Sequence, residues 1–93
     1  MIAKKRERTE IIYDILSGIK DKGNNVKPTH ILYKSNLSHK MLKEYLDELI
    51  EKGFIEESED KKGRKFYSLK EKGFNYVYEF KVIREFLESY DLN

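Results

Sequence analysis

Between Leu42 and Leu69 the hydrophobic pattern of the chain changes period, and that change admits few folds. In "SHKMLKEYLDELIEK" the apolar residues Leu42, Tyr45, Leu46, Leu49 and Ile50 recur at helical spacing. This predicts a helix from about Ser38, a good N-cap, to about Lys52, with Gly53 as a left-handed stop. "FIEES" (54–58) and "KFYSL" (65–69) then flank "EDKKGR" (59–64), where Gly63 can take the positive φ that a reversal needs. Two short strands joined by a charged turn form a β-hairpin. Such a hairpin is marginal alone in water, so this one must lean on helices.

The helices are supplied on both sides. Ile11, Ile12, Ile15, Leu16 and Ile19 form one stripe within 6–21, and "DKGNN" (21–25) ends it by glycine and asparagine turn chemistry. Pro28 suits the first turn of a short second helix carrying Ile31 and Leu32, before the polar turn "KSNLS" at 34–38. The segment 70–91 predicts a last helix through Phe74, Val77, Tyr78, Ile83, Phe86, Leu87 and Tyr90. Gly73 weakens its first turn by about 1 kcal/mol relative to alanine, which implies close packing there. Tyr76, Phe80 and Val82 raise the apolar content above what one helix face needs, so a second packing partner is expected.

With 93 residues the chain has room for one core and one domain, spanning 1–93. It has no cysteine, which removes disulfide and thiol chemistry, and no apolar run long enough for a signal peptide or a membrane span. A soluble, cytoplasmic protein is expected. Enzyme activity is not expected: there is no paired-histidine metal spacing and no phosphate-cradling glycine loop, and the carboxylates sit on solvated-looking faces. No cofactor or metal is implied. His30 and His39 could form at most an accidental metal site. The net charge is only +2, yet residues 1–37 carry eight lysines and arginines against four acids, for +4, leaving −2 for the rest. Such asymmetry permits a nucleic-acid face without requiring one.

Helix, short helix, turn, helix, hairpin, helix is the order of a winged helix-turn-helix, an α+β fold in which the third helix can enter a major groove and the hairpin can lie along phosphate. "SNLSHKMLKEYLDELIEKGFIEE", "KKGRKFYSL" and "LKEKG" (69–73) resemble the archaeal winged-helix regulators and chromatin-type DNA-binding proteins of about ten kilodaltons, and more distantly small MarR-like proteins. The resemblance covers roughly residues 8–80. It implies double-stranded DNA as partner and a homodimer formed through the C-terminal helix, which in those relatives is sometimes a long antiparallel coiled coil. The stretch after this hairpin has the length for a shorter helix pair.

On that reading the DNA-facing residues are Lys34, Ser35, Ser38, His39, Lys40 and Lys43 around the third helix, and Lys61, Lys62, Arg64 and Lys65 in the wing. Lys4, Lys5, Arg6 and Arg8 form a basic arm that could add phosphate contacts. Each of these residues could instead be an ordinary solvated charge. Glu44, Asp47, Glu48 and Glu51 limit close approach to the first two turns of the third helix, and the wing segment 54–69 has no net charge. Orientation, not bulk charge, must therefore carry binding. The dimer candidates are Phe74, Val77, Tyr78, Ile83, Phe86, Leu87 and Tyr90. A winged helix used for protein contact, and a general chromatin role, are the alternatives. No polar cluster identifies a small-molecule effector site.

Overall fold

A computed structural model of the chain describes residues 7–91. Its elements are α1 (Arg8–Asp21), α2 (Pro28–Ser35), α3 (His39–Glu51), β1 (Ile55–Glu59), β2 (Lys65–Leu69) and α4 (Glu71–Ser89). This is the expected α+β order of three helices, a hairpin and a C-terminal helix. The basic residues Lys4, Lys5 and Arg6 lie outside the described residues.

One core holds the elements together. Ile15, Leu16 and Ile19 of α1 and Ile31 of α2 are fully shielded, and Leu42, Leu46 and Leu49 of α3 close over them. Ile55, Tyr67 and Leu69 add the inner face of the hairpin. β1 and β2 pair antiparallel in the register Ile55↔Leu69 to Glu59↔Lys65. Helix α3 starts as the sequence predicts, with the Ser38 hydroxyl accepting from the Met41 N–H at 3.2 Å.

The segment between α1 and α2 is more than a helix stop. Gly23, Asn24 and Asn25 have φ values of 90°, 67° and 56°. That left-handed run turns Val26 alongside β2, where Val26 and Tyr67 exchange both backbone hydrogen bonds at 2.8 Å. The loop is pinned from both sides: the Leu69 N–H donates to Asn24 Oδ1 at 2.8 Å and the Asn25 N–H to Ser68 Oγ at 3.0 Å. Val26 thus extends the hairpin by a one-residue third strand and ties it to the helices.

Helix α2 runs through Lys34 and Ser35, where the sequence reading placed a turn. The Ser35 hydroxyl donates to the Ile31 carbonyl at 2.7 Å and the residue is fully buried. Asn36, in the left-handed region at φ 55°, ends the helix.

Helix α4 returns across the body. The expected close packing at Gly73 is present: a β-carbon there would stand 2.4 Å from the Phe54 carbonyl oxygen. Val77 is buried at 5% exposure and belongs to the core, so it leaves the set of dimer candidates. Farther along, Tyr76 donates its hydroxyl hydrogen to the Thr9 carbonyl at 2.7 Å, Phe80 stacks on Tyr13 at 4.7 Å, and the Arg84 guanidinium lies 5.1 Å from the Tyr13 ring centre. The last turns carry Ile83, Phe86 and Tyr90 exposed to solvent.

Candidate nucleic-acid interface

Helix α3 buries Leu42, Leu46 and Leu49, which turns Lys40, Glu44, Asp47 and Glu51 outward. His39 and Lys40 are exposed at its N-terminal end, and neither has a hydrogen-bond or ion-pair partner among the described residues. Lys43 is exposed but engaged, its Nζ lying 3.1 Å from Asp47 Oδ2. Ser38 is exposed and held as the cap.

The turn side divides. Lys34 lies in the last turn of α2, with its Cγ 3.0 Å from where a β-carbon on Gly18 would stand. Its stem therefore lies over α1 while the residue remains exposed. Ser35 cannot contact phosphate, because it is buried and its hydroxyl is spent on Ile31.

The wing tip is ordered by one carboxylate. Asp60 Oδ1 accepts from the Lys62 and Arg64 backbone N–H groups, each at 2.9 Å, and Oδ2 accepts from Arg64 Nε at 2.6 Å. The Asp60 N–H donates to the Arg64 carbonyl at 3.0 Å, and Gly63, at φ 77°, closes the turn by donating to the Asp60 carbonyl at 3.1 Å. The backbone donation from Arg64 is the largest influence on the Asp60 carboxyl; burial opposes it, and the Arg64 side chain and the Lys62 N–H then help to hold the group below its ordinary range. The Lys61 and Lys62 side chains are exposed, with no partner among the described residues. Lys65 approaches Glu57 at 3.7 Å.

Helix and wing meet near Tyr67. Tyr67 donates its hydroxyl hydrogen to Glu57 Oε2 at 2.9 Å. Burial first, then that hydrogen bond and the charges of Glu57 and Asp47, push the Tyr67 phenol above its ordinary range. Helix α3 packs against β1, which sets it beside the base of the wing. Lys43 and Asp47 on α3 and Glu57 and Lys65 on the hairpin are exposed, with Lys40 in the first turn of α3 and Lys61 and Lys62 at the wing tip.

Sequence reasoning assigned Arg8 to a basic arm. Its guanidinium instead pairs with Glu48 of α3 and lies 5.4 Å from the Tyr45 ring centre, while Lys52 reaches the same carboxylate at 2.7 Å. The hydrogen bond from Arg8, then that from Lys52, pulls the Glu48 carboxyl down to about 2.

Sequence reasoning also missed a shallow cleft of about 490 Å³ on the other side of the sheet. Lys22, Lys27, Thr29, His30, Tyr33 and Phe66 line it with Asn25 and Val26. It joins distant segments through the Val26 bridge, which has no sequence period. Tyr33 is 87% exposed there.

The sequence pattern of the winged helix-turn-helix family matches residues 5–88. The chain belongs to that family. Among solved structures, this winged helix-turn-helix chain is similar to Sso10a-2, a DNA-binding protein from Sulfolobus solfataricus, with 29% identity and a TM-score of 0.74 over 92% of this chain and 90% of that one. It is also similar to MepR, a transcription regulator of the Staphylococcus aureus multidrug efflux pump MepA, with 19% identity and a TM-score of 0.75 over 85% of this chain and 59% of MepR. BpsR of Bordetella bronchiseptica, whose DNA binding is regulated by 6-hydroxynicotinic acid, shares 13% identity and a TM-score of 0.74 over 96% of this chain and 67% of BpsR. The last two likenesses bear on fold alone. No curated protein sequence matches the chain. The resemblance drawn from the recognition-helix and wing motifs is thus correct, and the winged helix-turn-helix described here is a DNA-binding fold. Among the described residues no helix is long and apolar enough to cross a membrane, and no cluster of three or more potential metal ligands occurs.

Proposed function

We propose that the protein binds double-stranded DNA as a homodimer and regulates transcription by occupying its site. The observation that supports this reading is that the Lys40, Lys61 and Lys62 side chains, on α3 and on the wing that packs against it, are exposed and have no partner among the described residues. His39 and Ser38 open the same helix, where donors can reach phosphate or base edges. Lys43, Arg64 and Lys65 add cations held only in exposed pairs. Such pairs contribute about 0–1 kcal/mol each, so phosphate can compete for these side chains.

The dimer half of the proposal rests on α4. Phe74, Tyr78, Val82, Phe86 and Tyr90 recur every four residues and are exposed, with Ile83 beside them and Leu87 half-buried. A contiguous ladder of large apolar groups marks an interaction surface. A second copy of α4 is its partner in this reading. Pairing then presents two α3 helices to one face of a duplex, at about 34–36 Å if they occupy successive major-groove turns.

The test is duplex binding measured across salt concentrations for wild type and for a Lys40→Ala, Lys61→Ala, Lys62→Ala variant. The expected outcome is weaker binding together with a shallower dependence of log affinity on log salt, by about 1 for each phosphate that is no longer neutralised. Unchanged affinity and slope would contradict the DNA face. They would instead favour protein contact through the acidic outer line of Glu44, Asp47 and Glu51.

A further inference from the structure

We infer that Asp60, the acidic residue at the base of the wing tip, is a positioning residue for DNA binding, fixing the loop that aims Lys61 and Lys62 at the phosphate backbone. This rests on the proposed DNA-binding role of the wing. A carboxylate so placed ought, by charge alone, to repel the duplex. Its bonding points the other way.

Both oxygens of Asp60 are turned into the loop. Oδ1 takes the N–H groups of Lys62 and Arg64 at 2.9 Å each, and Oδ2 takes Arg64 Nε at 2.6 Å. Three of the carboxylate's acceptor positions are thus filled by the residues that carry the positive charge. The Asp60 backbone contributes again, donating to the Arg64 carbonyl at 3.0 Å and accepting from the Gly63 N–H at 3.1 Å. The residue is half-buried while Lys61, Lys62, Gly63 and Arg64 around it are exposed.

Two consequences follow from this geometry. These bonds tie the backbone from 60 to 64 together, so the two lysines at its crest leave it from a set backbone geometry. Ordering a loop before binding removes part of the conformational cost of ordering it on the duplex. The negative charge is also matched locally by Arg64, so its repulsion of phosphate is offset. Glu57 and Glu59 differ: Glu57 takes Tyr67 and Lys65, and among the described residues neither carboxylate bonds to the loop backbone.

Net charge and positioning predict opposite signs, which makes the inference testable. Asp60→Ala removes an acid next to the duplex, so electrostatics alone predicts tighter binding. Positioning predicts weaker binding, by about three- to tenfold for a mixed-sequence duplex at moderate salt, the scale expected when one or two phosphates lose their cation. Asp60→Asn removes the same charge but keeps one oxygen for the Lys62 and Arg64 N–H groups, so it should recover most of the affinity. Amide hydrogen exchange at Lys62 and Arg64 in the free protein should accelerate in Asp60→Ala and much less in Asp60→Asn.

Lys61→Ala with Lys62→Ala completes the experiment. Weakening by this double variant, combined with unchanged or tighter binding by Asp60→Ala, would overturn the role of Asp60 and leave the DNA face intact. Equal binding by Asp60→Ala and Asp60→Asn, with both weakened, would also overturn it, because the retained oxygen would then do nothing. Wild-type binding by the double lysine variant would overturn both the inference and the place of the wing in the DNA face.

Discussion

A methyl group added at Gly73 would meet the Phe54 carbonyl oxygen at 2.4 Å, and a backbone oxygen has no rotamer by which to withdraw. Alanine would gain about 1 kcal/mol of helix propensity there. The clash outweighs that gain, so Gly73→Ala should destabilise the fold by about 1–3 kcal/mol in chemical denaturation, as overpacking does. Glu48 makes a different prediction. Its carboxyl is held at about 2 by Arg8 first and Lys52 second. A folded-state value below the unfolded one stabilises above the ordinary glutamate range, and this is lost as pH falls toward 2. Glu48→Gln should therefore flatten the decline of Tm below about pH 5, where unfolded glutamate begins to protonate. The tight approach at Gly73 was legible because a glycine inside a helical pattern needs a reason. The burial of Ser35 was not. Polarity marks a serine as a turn residue, yet its hydroxyl can satisfy itself on the carbonyl one turn back and let the residue enter the core.

At the scale of elements, α3 was the most legible segment, since its cap, stripe and stop lie within one stretch. That legibility yields a separation of stability from binding. Ser38→Ala should cost about 1 kcal/mol by loosening the first turn, and duplex affinity should fall with it. Ser38→Asp keeps an acceptor for the Met41 N–H, and its charge is favourable at a helix N-terminus, so stability should be retained. Affinity should still drop, because the same charge would face phosphate. Thermal melts paired with duplex titrations of the two variants check this. The hairpin was equally readable from its change of period, with β1 beginning at Ile55 one residue later than expected. The Val26 strand was hidden. One residue has no period, and its place in the sheet depends on three successive left-handed residues and on the bonds that Asn24 Oδ1 accepts from the Leu69 N–H and Ser68 Oγ accepts from the Asn25 N–H.

For the whole molecule, the surplus of apolar residues after Gly73 announced two packing surfaces on α4 but could not assign them. Val77 faces inward with Gly73 and Tyr76, whereas Phe74 and Tyr78 face out. Adjacent positions on one helix differ by about 100°, and a segment apolar on both sides shows no stripe to separate them. In the proposed dimer, Tyr78→Asp with Phe86→Asp places charges in the middle of the outer ladder. It should yield a monomer in sedimentation experiments with the fold retained, and duplex affinity should fall by about 10²-fold or more as the second half-site is lost. The attachment of α4 to the body has a further consequence. Tyr13, Phe80 and Arg84 clasp the rod near its middle. The nine residues from Phe80 to Ser89 make an arm of about 14 Å, so a tilt of about 10° at that clasp swings its far end by roughly 2–3 Å. In the proposed dimer, the separation of the two reading heads would accordingly respond to substitutions at Tyr13, Phe80 or Arg84, none of which approaches a base pair.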